Sequence, residues 1–128
     1  MNKVQEKYTN LNFLRAHTQC SPDLMIEMIE IYQGQTPQMI KAMKSGLLNS
    51  DWQVIRAAAH KLKPSFRIMG INKDYHMLVN EIERLAVDKS PIVEINNLVD
   101  ELENACNNIY DELNVIMKEL QQCRREKR

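Results

Sequence analysis

Apolar residues recur every three to four positions along most of the chain, the spacing that places them on one face of an α-helix. The periodic segments are separated by short stretches that carry capping residues and proline, as at Ser21-Pro22, Thr36-Pro37 and Ser90-Pro91. Serine and threonine cap helix N-termini, and proline is tolerated in the first helical turn. The pattern therefore predicts an all-α protein with helices at about 8–18, 22–33, 36–48, 51–69, 73–87 and 92–122.

Short connections between these helices favour antiparallel neighbours. We expect the last four to form an antiparallel up-down four-helix bundle, and the two N-terminal helices, the first capped by Thr9, to cover one end or side of it. Residues 1–128 are expected to form a single domain, with 1–7 and 123–128 frayed. The apolar seam of the last helix runs through several heptads, which leaves dimerisation open, although a monomer is favoured.

The segment 51–70 has a two-sided pattern. At ~100° per residue, His60 lies more than a right angle away from the centre of the apolar stripe. Arg56, Lys63 and Arg67 share the helical face of His60. The residues of the stripe itself are Trp52, Ile55, Ala59, Leu62, Phe66 and Met69. The pattern predicts an imidazole on a water-facing surface with cations around it, an arrangement suited to accepting a phosphoryl group and giving it away.

Composition narrows the functional classes. The 17 Lys+Arg and 17 Asp+Glu residues balance to a formal net charge of zero, which argues against a general nucleic-acid binder. No apolar run approaches a membrane span, and residues 2–7 lead into no signal-peptide core. Cys20, Cys106 and Cys123 are widely spaced without a CxxC pair, as is typical of free thiols in a reducing cytosol. We expect a cytoplasmic protein with no nucleic-acid or membrane partner.

The stretch His60-Lys61-Leu62-Lys63-Pro64-Ser65, with Gly70 after it, resembles the signature of the histidine-containing phosphotransfer (HPt) domain. That signature reads His-x-Leu-Lys-Gly-Ser followed by a glycine. The order of helices and capping residues agrees as well, from about Leu11 to Leu120. The resemblance implies a four-helix bundle that acts in phosphorelay signal transduction, accepting a phosphoryl group on His60 from a receiver-domain aspartate and passing it to another response regulator.

The resemblance also implies roles for individual residues. His60 is the phosphorylated residue, Lys63 stabilises the phosphoryl oxygens, and Ser65 is a candidate for orienting the group. The implied partners are the receiver domains of a hybrid sensor histidine kinase and of response regulators. Mg²⁺ is expected in the partner receiver domain only, and this chain needs no metal or other cofactor. Since no P-loop or Gly-rich phosphate cradle is present, we expect a phosphoryl carrier without its own ATP site.

A partner-docking surface is expected around His60. Its charged rim would be Arg56 and Arg67, which would steer an acidic receiver surface. Its apolar part would consist of Ala57, Pro64, Ile68 and Ile71. Exposed apolar residues at such a place point to a partner.

Pro64 stands where the HPt signature has glycine. A proline inside a helix cannot donate to the carbonyl four residues back, here that of His60, and it disfavours helical dihedrals at Lys63. We predict a kink that either aims the imidazole outward or marks a domain that has lost transfer activity. The alternative function is therefore an HPt-like helical adaptor that binds receiver domains without phosphotransfer.

The other histidines and acidic residues are given plainer interpretations. A metal- or haem-binding bundle using His17, His60 and His76 with the cysteines is a third hypothesis, disfavoured by the poor spacing of the ligands. His76 is interpreted as a surface histidine. Glu83, together with Glu81 and Arg84, is interpreted as part of a solvated helix face.

Overall fold

The computed structural model describes residues 6–126, and all regular secondary structure in that range is α-helical. The helices are α1 (Asn12–Thr18), α2 (Pro22–Leu48), α3 (Trp52–Ile68), α4 (Lys73–Val87) and α5 (Ile92–Glu126). The all-α prediction is confirmed. The predicted fraying of 1–5 and 127–128 lies outside the described residues.

The predicted helices 22–33 and 36–48 are one helix, α2, which runs through Gly34 and Pro37. The prediction of a break was wrong. Thr36 does not cap a new helix, because its hydroxyl donates to the Tyr32 carbonyl at 2.8 Å. Burial of one face of α2 on both sides of the proline outweighs the local preference for a break. The capping residue that the structure does use is Ser21, whose side chain accepts from the Leu24 amide.

The four long helices pack in a ring in which α2 contacts α3 and α5, and α4 contacts α3 and α5. Short connections join consecutive members of this bundle. Side-chain contacts place the start of α2 beside the end of α5, as an antiparallel pair requires: Asp23 with Arg124, Gln33 with Asn114, and Lys44 with Glu103. The antiparallel bundle is thus formed by α2 to α5, with the segment 22–33 inside it as the first half of α2.

One face of α3 is committed to the core. Five members of the predicted stripe are at most 2% exposed: Ile55, Ala59, Leu62, Phe66 and Met69. The sixth, Trp52, is partly buried and donates its indole N–H to the Ser90 carbonyl at 2.8 Å. This anchoring holds the opposite face of α3 in a defined position towards solvent.

The N-terminal segment, residues 6–11, lies against α5 and against the connection between α3 and α4. The carboxylate of Glu112 on α5 is buried and accepts hydrogen bonds from the amides of Lys7, Tyr8 and Thr9 and from the Thr9 hydroxyl, at 2.7 to 3.1 Å. The expected fraying of residues 6 and 7 was therefore wrong. The residues in contact are more than a hundred positions apart in the sequence. A local sequence pattern therefore could not predict these contacts.

The same contacts correct the start of the first helix. The prediction placed this helix at 8–18 with Thr9 as its cap, whereas α1 begins at Asn12 with Leu11 in the capping position. The Thr9 hydroxyl is used by Glu112 instead. Leu11 is fully buried, and the Asn12 amide donates to Asn10 Oδ1 at 3.0 Å, so the packing of Leu11 and the Asn10 side chain together fix the beginning of α1.

Gly70 closes the connection between α3 and α4. Its φ of +57° lies in the left-handed region, and a Cβ built on it would stand 1.9 Å from the Asn10 carbonyl oxygen. The Asn10 amide donates to the Gly70 carbonyl, and the Asn72 amide donates to the Tyr8 carbonyl, both at 2.8 Å. Position 70 therefore requires glycine, because the backbone there approaches the N-terminal segment too closely to leave room for a side chain.

The C-terminal end of α5 is helical to Glu126, beyond the predicted end at 122. Arg124 reaches Asp23 at the start of α2, and Leu120 and Cys123 are partly buried. Residues 123–126, expected to fray, thus belong to the helix. In the described range, 6–126, none of the helices contains an apolar stretch that could span a bilayer.

Candidate functional site

His60 lies in the middle of α3, on the face opposite the buried stripe, and its side chain is 67% exposed. Asp51 fixes the start of this helix, because its carboxylate accepts from the Val54 amide at 3.2 Å. The prediction that His60 faces water is confirmed. The imidazole is presented to solvent from a helix whose other face is anchored in the core.

A carboxylate from the neighbouring helix contacts the imidazole. Glu83 of α4 places Oε2 at 2.8 Å from His60 Nδ1, while its Oε1 pairs with the Lys63 ammonium. The Glu83 side chain is only 17% exposed. Its hydrogen bond with Lys63 is the main cause that lowers the pKa of Glu83, and the hydrogen bond with His60 acts in the same direction.

The interpretation of Glu83 as part of a solvated face was therefore wrong. Glu81 and Arg84 do pair with each other on the exposed side of α4. Glu83 points instead across the α3–α4 interface to His60 and Lys63. The sequence carried no signal of its partners, since these lie 23 and 20 residues away.

The structure brings Lys63 to His60 and places Ser65 elsewhere. Lys63 is partly buried and is held beside the imidazole by the shared carboxylate of Glu83. The Ser65 hydroxyl donates to the Leu62 carbonyl at 2.9 Å, within its own helix. The expected orienting role of Ser65 stays a prediction.

Pro64 lies inside α3, which continues as one helix to Ile68. Lys63 therefore keeps a helical conformation in front of the proline. The carbonyl of His60 has no amide donor at position 64, as for any proline in this place. The predicted kink stays a prediction, but the proline does not end the helix at the site.

The predicted docking residues divide into three groups by exposure. Pro64 and Arg67 are exposed, and Arg56, Ala57 and Ile68 are partly buried. Ile71 is only 4% exposed. Its assignment to an exposed docking surface was wrong, because the turn at Gly70 directs it into the core beneath the N-terminal segment.

Sequence reasoning missed the exposed apolar side chains of α2 that lie near the predicted docking residues. Ile31 is 52% exposed, and Leu24 is nearly as exposed on the same face of α2. A groove of about 200 Å³, called here the α2–α3 groove, runs between these helices. Its lining includes Met28, Ile31, Lys61, Pro64, Ser65 and Ile68. The sequence did carry a signal for these exposed residues: the apolar face of α2 is broader than the part of it that packs in the core.

The remaining histidines lie apart from this site. His76, expected at the surface, is partly buried and meets the Phe66 ring edge-on, with ring centroids 5.6 Å apart. Desolvation lowers the pKa of His76. His17 is exposed and stacks on Phe13. In the part of the chain that the structure describes, no group of three or more His, Cys, Asp or Glu side chains could hold a metal ion.

Solved structures of other proteins have the same helical architecture as this chain. Histidine-containing phosphotransfer protein B from Pseudomonas aeruginosa PAO1 superimposes with a TM-score of 0.70 at 16% identity, covering 97% of this chain and 100% of that one. The HPT domain of a sensor hybrid histidine kinase from Shewanella gives a TM-score of 0.59 at 19% identity, covering 90% and 92%. No protein-family model matches the sequence, and a search of curated proteins finds no relative. The chain thus has the fold of HPt domains.

Proposed function

We propose that this protein is a histidine phosphotransfer protein of a phosphorelay. It accepts a phosphoryl group on His60 from a receiver-domain aspartate and passes the group to another response regulator. The observation that carries the proposal is the exposed imidazole on an HPt fold, with a carboxylate on one ring nitrogen and a lysine beside it. The similarity to the two solved HPt structures supports the same role.

The chemistry needs little more than position and charge. Phosphoryl transfer passes through a loose, in-line transition state with negative charge on the equatorial oxygens. The carrier must offer an imidazole nitrogen that an incoming phosphoryl group can reach, and His60 does so from a well-exposed position. Lys63 supplies a cation for the oxygens. The chain acts as a carrier rather than as an enzyme with its own ATP site.

The α2–α3 groove is the proposed apolar part of the docking surface. Pro64 and Ile68 border it next to His60, and Ile31 extends it along α2. Arg67 and Arg56 form a cationic rim on the other side of the histidine, which suits an acidic receiver surface. The partners are receiver domains of a hybrid sensor histidine kinase and of response regulators, and Mg²⁺ belongs to the receiver. We expect a monomer in the cytoplasm, where free thiols such as its three cysteines persist.

Transfer of labelled phosphate from receiver domains tests the proposal. A panel of phosphorylated receivers is mixed with the protein, and an acid-labile, base-stable phosphate is sought on it. We expect label on the wild type and none on His60→Gln. The matched control is His17→Gln, another exposed histidine, which should be labelled like the wild type.

The adaptor function is the second candidate, and Pro64 favours it. If no receiver transfers label but one still binds both the wild type and His60→Gln, the carrier proposal fails and the protein is a receiver-binding adaptor. Pro64→Gly then tells whether the proline is the cause, because restoring the glycine of the HPt signature should restore labelling at His60.

A further inference from the structure

We propose that a cavity between α2 and α5 binds a small aromatic acid, with a polar group of the ligand at the buried hydroxyl of Tyr32 and its carboxylate at Lys41. This cavity, called here the α2–α5 cavity, has a volume of about 330 Å³, at the lower end of the range for ligand sites. Its lining includes Tyr32, Thr36, Pro37, Lys41, Cys106 and Tyr110. It lies on the opposite side of the bundle from the α3–α4 interface, where His60 lies, so it is separate from the proposed phosphotransfer site.

Two polar bridges between the helices bound the cavity. At one end, the side-chain amide of Gln33 donates to Asn114 Oδ1 at 3.0 Å. At the other end, the Lys44 ammonium pairs with the Glu103 carboxylate at 2.6 Å. These contacts join α2 to α5 on both sides of the space. The cavity therefore has fixed ends, unlike a groove that continues along the two helices.

The side chains between the two bridges leave the space open. Thr36 and Pro37 of α2 and Cys106 of α5 line it, and all three side chains are small. Pro37 has no amide proton, so it cannot donate to the carbonyl of Gln33 one turn earlier. The side chain of Tyr110 also lines the cavity, and aromatic rings pack favourably against one another. These walls suit a ligand with a flat apolar body.

The hydroxyl of Tyr32 is the feature that points to a ligand. Tyr32 is 3% exposed, and within residues 6–126 its hydroxyl has no hydrogen-bond partner. The Thr36 hydroxyl does not donate to it, because it donates to the Tyr32 carbonyl at 2.8 Å. Buried polar groups without a partner are rare, since each costs free energy. A ligand atom that hydrogen-bonds to this hydroxyl would remove that cost.

Cys106 does not supply the missing partner. Burial raises the pKa of the Cys106 thiol to about 12, so the sulfur keeps its proton at neutral pH. A neutral thiol is only a weak hydrogen-bonding group. Burial also raises the pKa of Tyr32, the nearby Cys106 acts in the same direction, and Thr36 opposes both. Because Thr36 and Cys106 both line the cavity, the Tyr32 hydroxyl lies at its inner wall.

The mouth of the cavity favours a negative charge. Lys41 lines it, is exposed and, among the residues that the structure describes, has no carboxylate partner. The charges of Lys44 and Glu103 compensate each other in their salt bridge. One positive charge is left over at the mouth, and it attracts a carboxylate and repels an amine. The ligand is therefore an acid with a second polar group on its ring.

NMR titration of the ¹⁵N-labelled chain with desaminotyrosine, a phenol that carries a propionate side chain, tests the proposal. We expect a Kd on the order of 1 mM, with amide signals of Thr36, Lys41 and Cys106 shifted. Phenylpropionate lacks the phenolic hydroxyl and should bind about fivefold more weakly. Tyramine replaces the carboxylate by an amine and should bind at least about threefold more weakly. No shifts at about 10 mM desaminotyrosine, ten times the expected Kd, would overturn the proposal.

Tyr32→Phe tests the role of the hydroxyl while it keeps the aromatic ring in the core. This variant should bind desaminotyrosine and phenylpropionate equally well. Its Tm without ligand should equal or exceed that of the wild type, because an unpartnered hydroxyl has been removed. A lower Tm would mean that the hydroxyl already has a partner in the protein, and an unchanged preference between the two acids would mean that the ligand does not reach it. Either result contradicts the proposal.

Lys41→Gln tests the charge at the mouth. This variant should bind desaminotyrosine and tyramine equally well, since the cation that distinguishes them is gone. The matched control is Lys61→Gln, at a lysine that lines the α2–α3 groove, and it should leave both affinities unchanged. If Lys61→Gln removes the preference for the acid and Lys41→Gln does not, the ligand binds in the α2–α3 groove and the proposed site is wrong.

Discussion

Two glutamates, Glu112 on α5 and Glu83 on α4, each join distant parts of the chain, and their partners differ in kind. Glu112 is buried and accepts from three backbone amides and one hydroxyl of the N-terminal segment. Glu83 pairs with two side chains, His60 and Lys63, and one of them is well exposed. The donors of Glu112 are uncharged amides and a hydroxyl, whereas both partners of Glu83 are basic side chains. We therefore expect removal of Glu112 to affect mainly the stability of the fold, and removal of Glu83 to affect mainly the surroundings of His60.

The largest expected effect is on stability, from removal of the buried carboxylate. Glu112→Ala leaves the buried amide and hydroxyl of Thr9 and the partly buried amide of Tyr8 without this acceptor, so we expect the free energy of unfolding to fall by about 3 kcal/mol. Chemical denaturation measures this loss. Glu101→Ala, at an exposed glutamate of the same helix, should change stability by less than about 0.5 kcal/mol. Equal effects of the two variants would remove the distinction between Glu112 and a surface glutamate.

A smaller effect is expected where the N-terminal segment meets the bundle. Gly70→Ala places a Cβ against the Asn10 carbonyl at a positive φ, and we expect a loss of about 2 kcal/mol or more. Gly34→Ala is the opposite case, because nothing lies within 4 Å of its Cβ position on the exposed side of α2. That variant should gain about 0.5–1 kcal/mol. A Gly70→Ala protein as stable as the wild type would contradict the close approach of the two backbones.

The smallest effect on stability is expected at Glu83. Glu83→Gln should cost about 1 kcal/mol or less at neutral pH, because its partners remain partly solvated. The folded state lowers the pKa of Glu83 below its ordinary value of 4.5, so the stabilisation is present above that pH and is lost as the pH falls through the lowered value. The stabilities of the wild type and Glu83→Gln should therefore begin to converge as the pH falls below about 4.5 and should meet below the lowered pKa. A difference that stays constant with pH would show that the charge of Glu83 contributes nothing.

Some elements of the fold and of the site could be predicted from the sequence, and others could not. Helical periodicity located α3, its buried stripe and the exposed position of His60, because these depend on neighbours within a few residues. The same reasoning failed at α2, where Thr36 and Pro37 looked like the start of a new helix. There the local preference was overridden by packing of residues on both sides of the proline.

Long-range contacts were the other source of error. Ile71 looked like part of an exposed patch and is buried, because the N-terminal segment covers the connection after Gly70. Thr9 looked like a helix cap and bonds to Glu112. In each case the partner lies far along the chain. Periodicity and capping rules describe only neighbours within a few residues, so they could not predict these contacts.

The sequence by itself determined the helical class, the core face of α3 and the histidine that faces solvent beside a lysine. The physical reason is that helix formation and amphipathic spacing are local properties. Only the tertiary structure decided that α2 is continuous, that Gly70 must be a glycine and that Glu83 joins His60 to Lys63. These facts depend on which helices become neighbours and at what height their side chains meet, and those heights are set by the packing of the whole bundle.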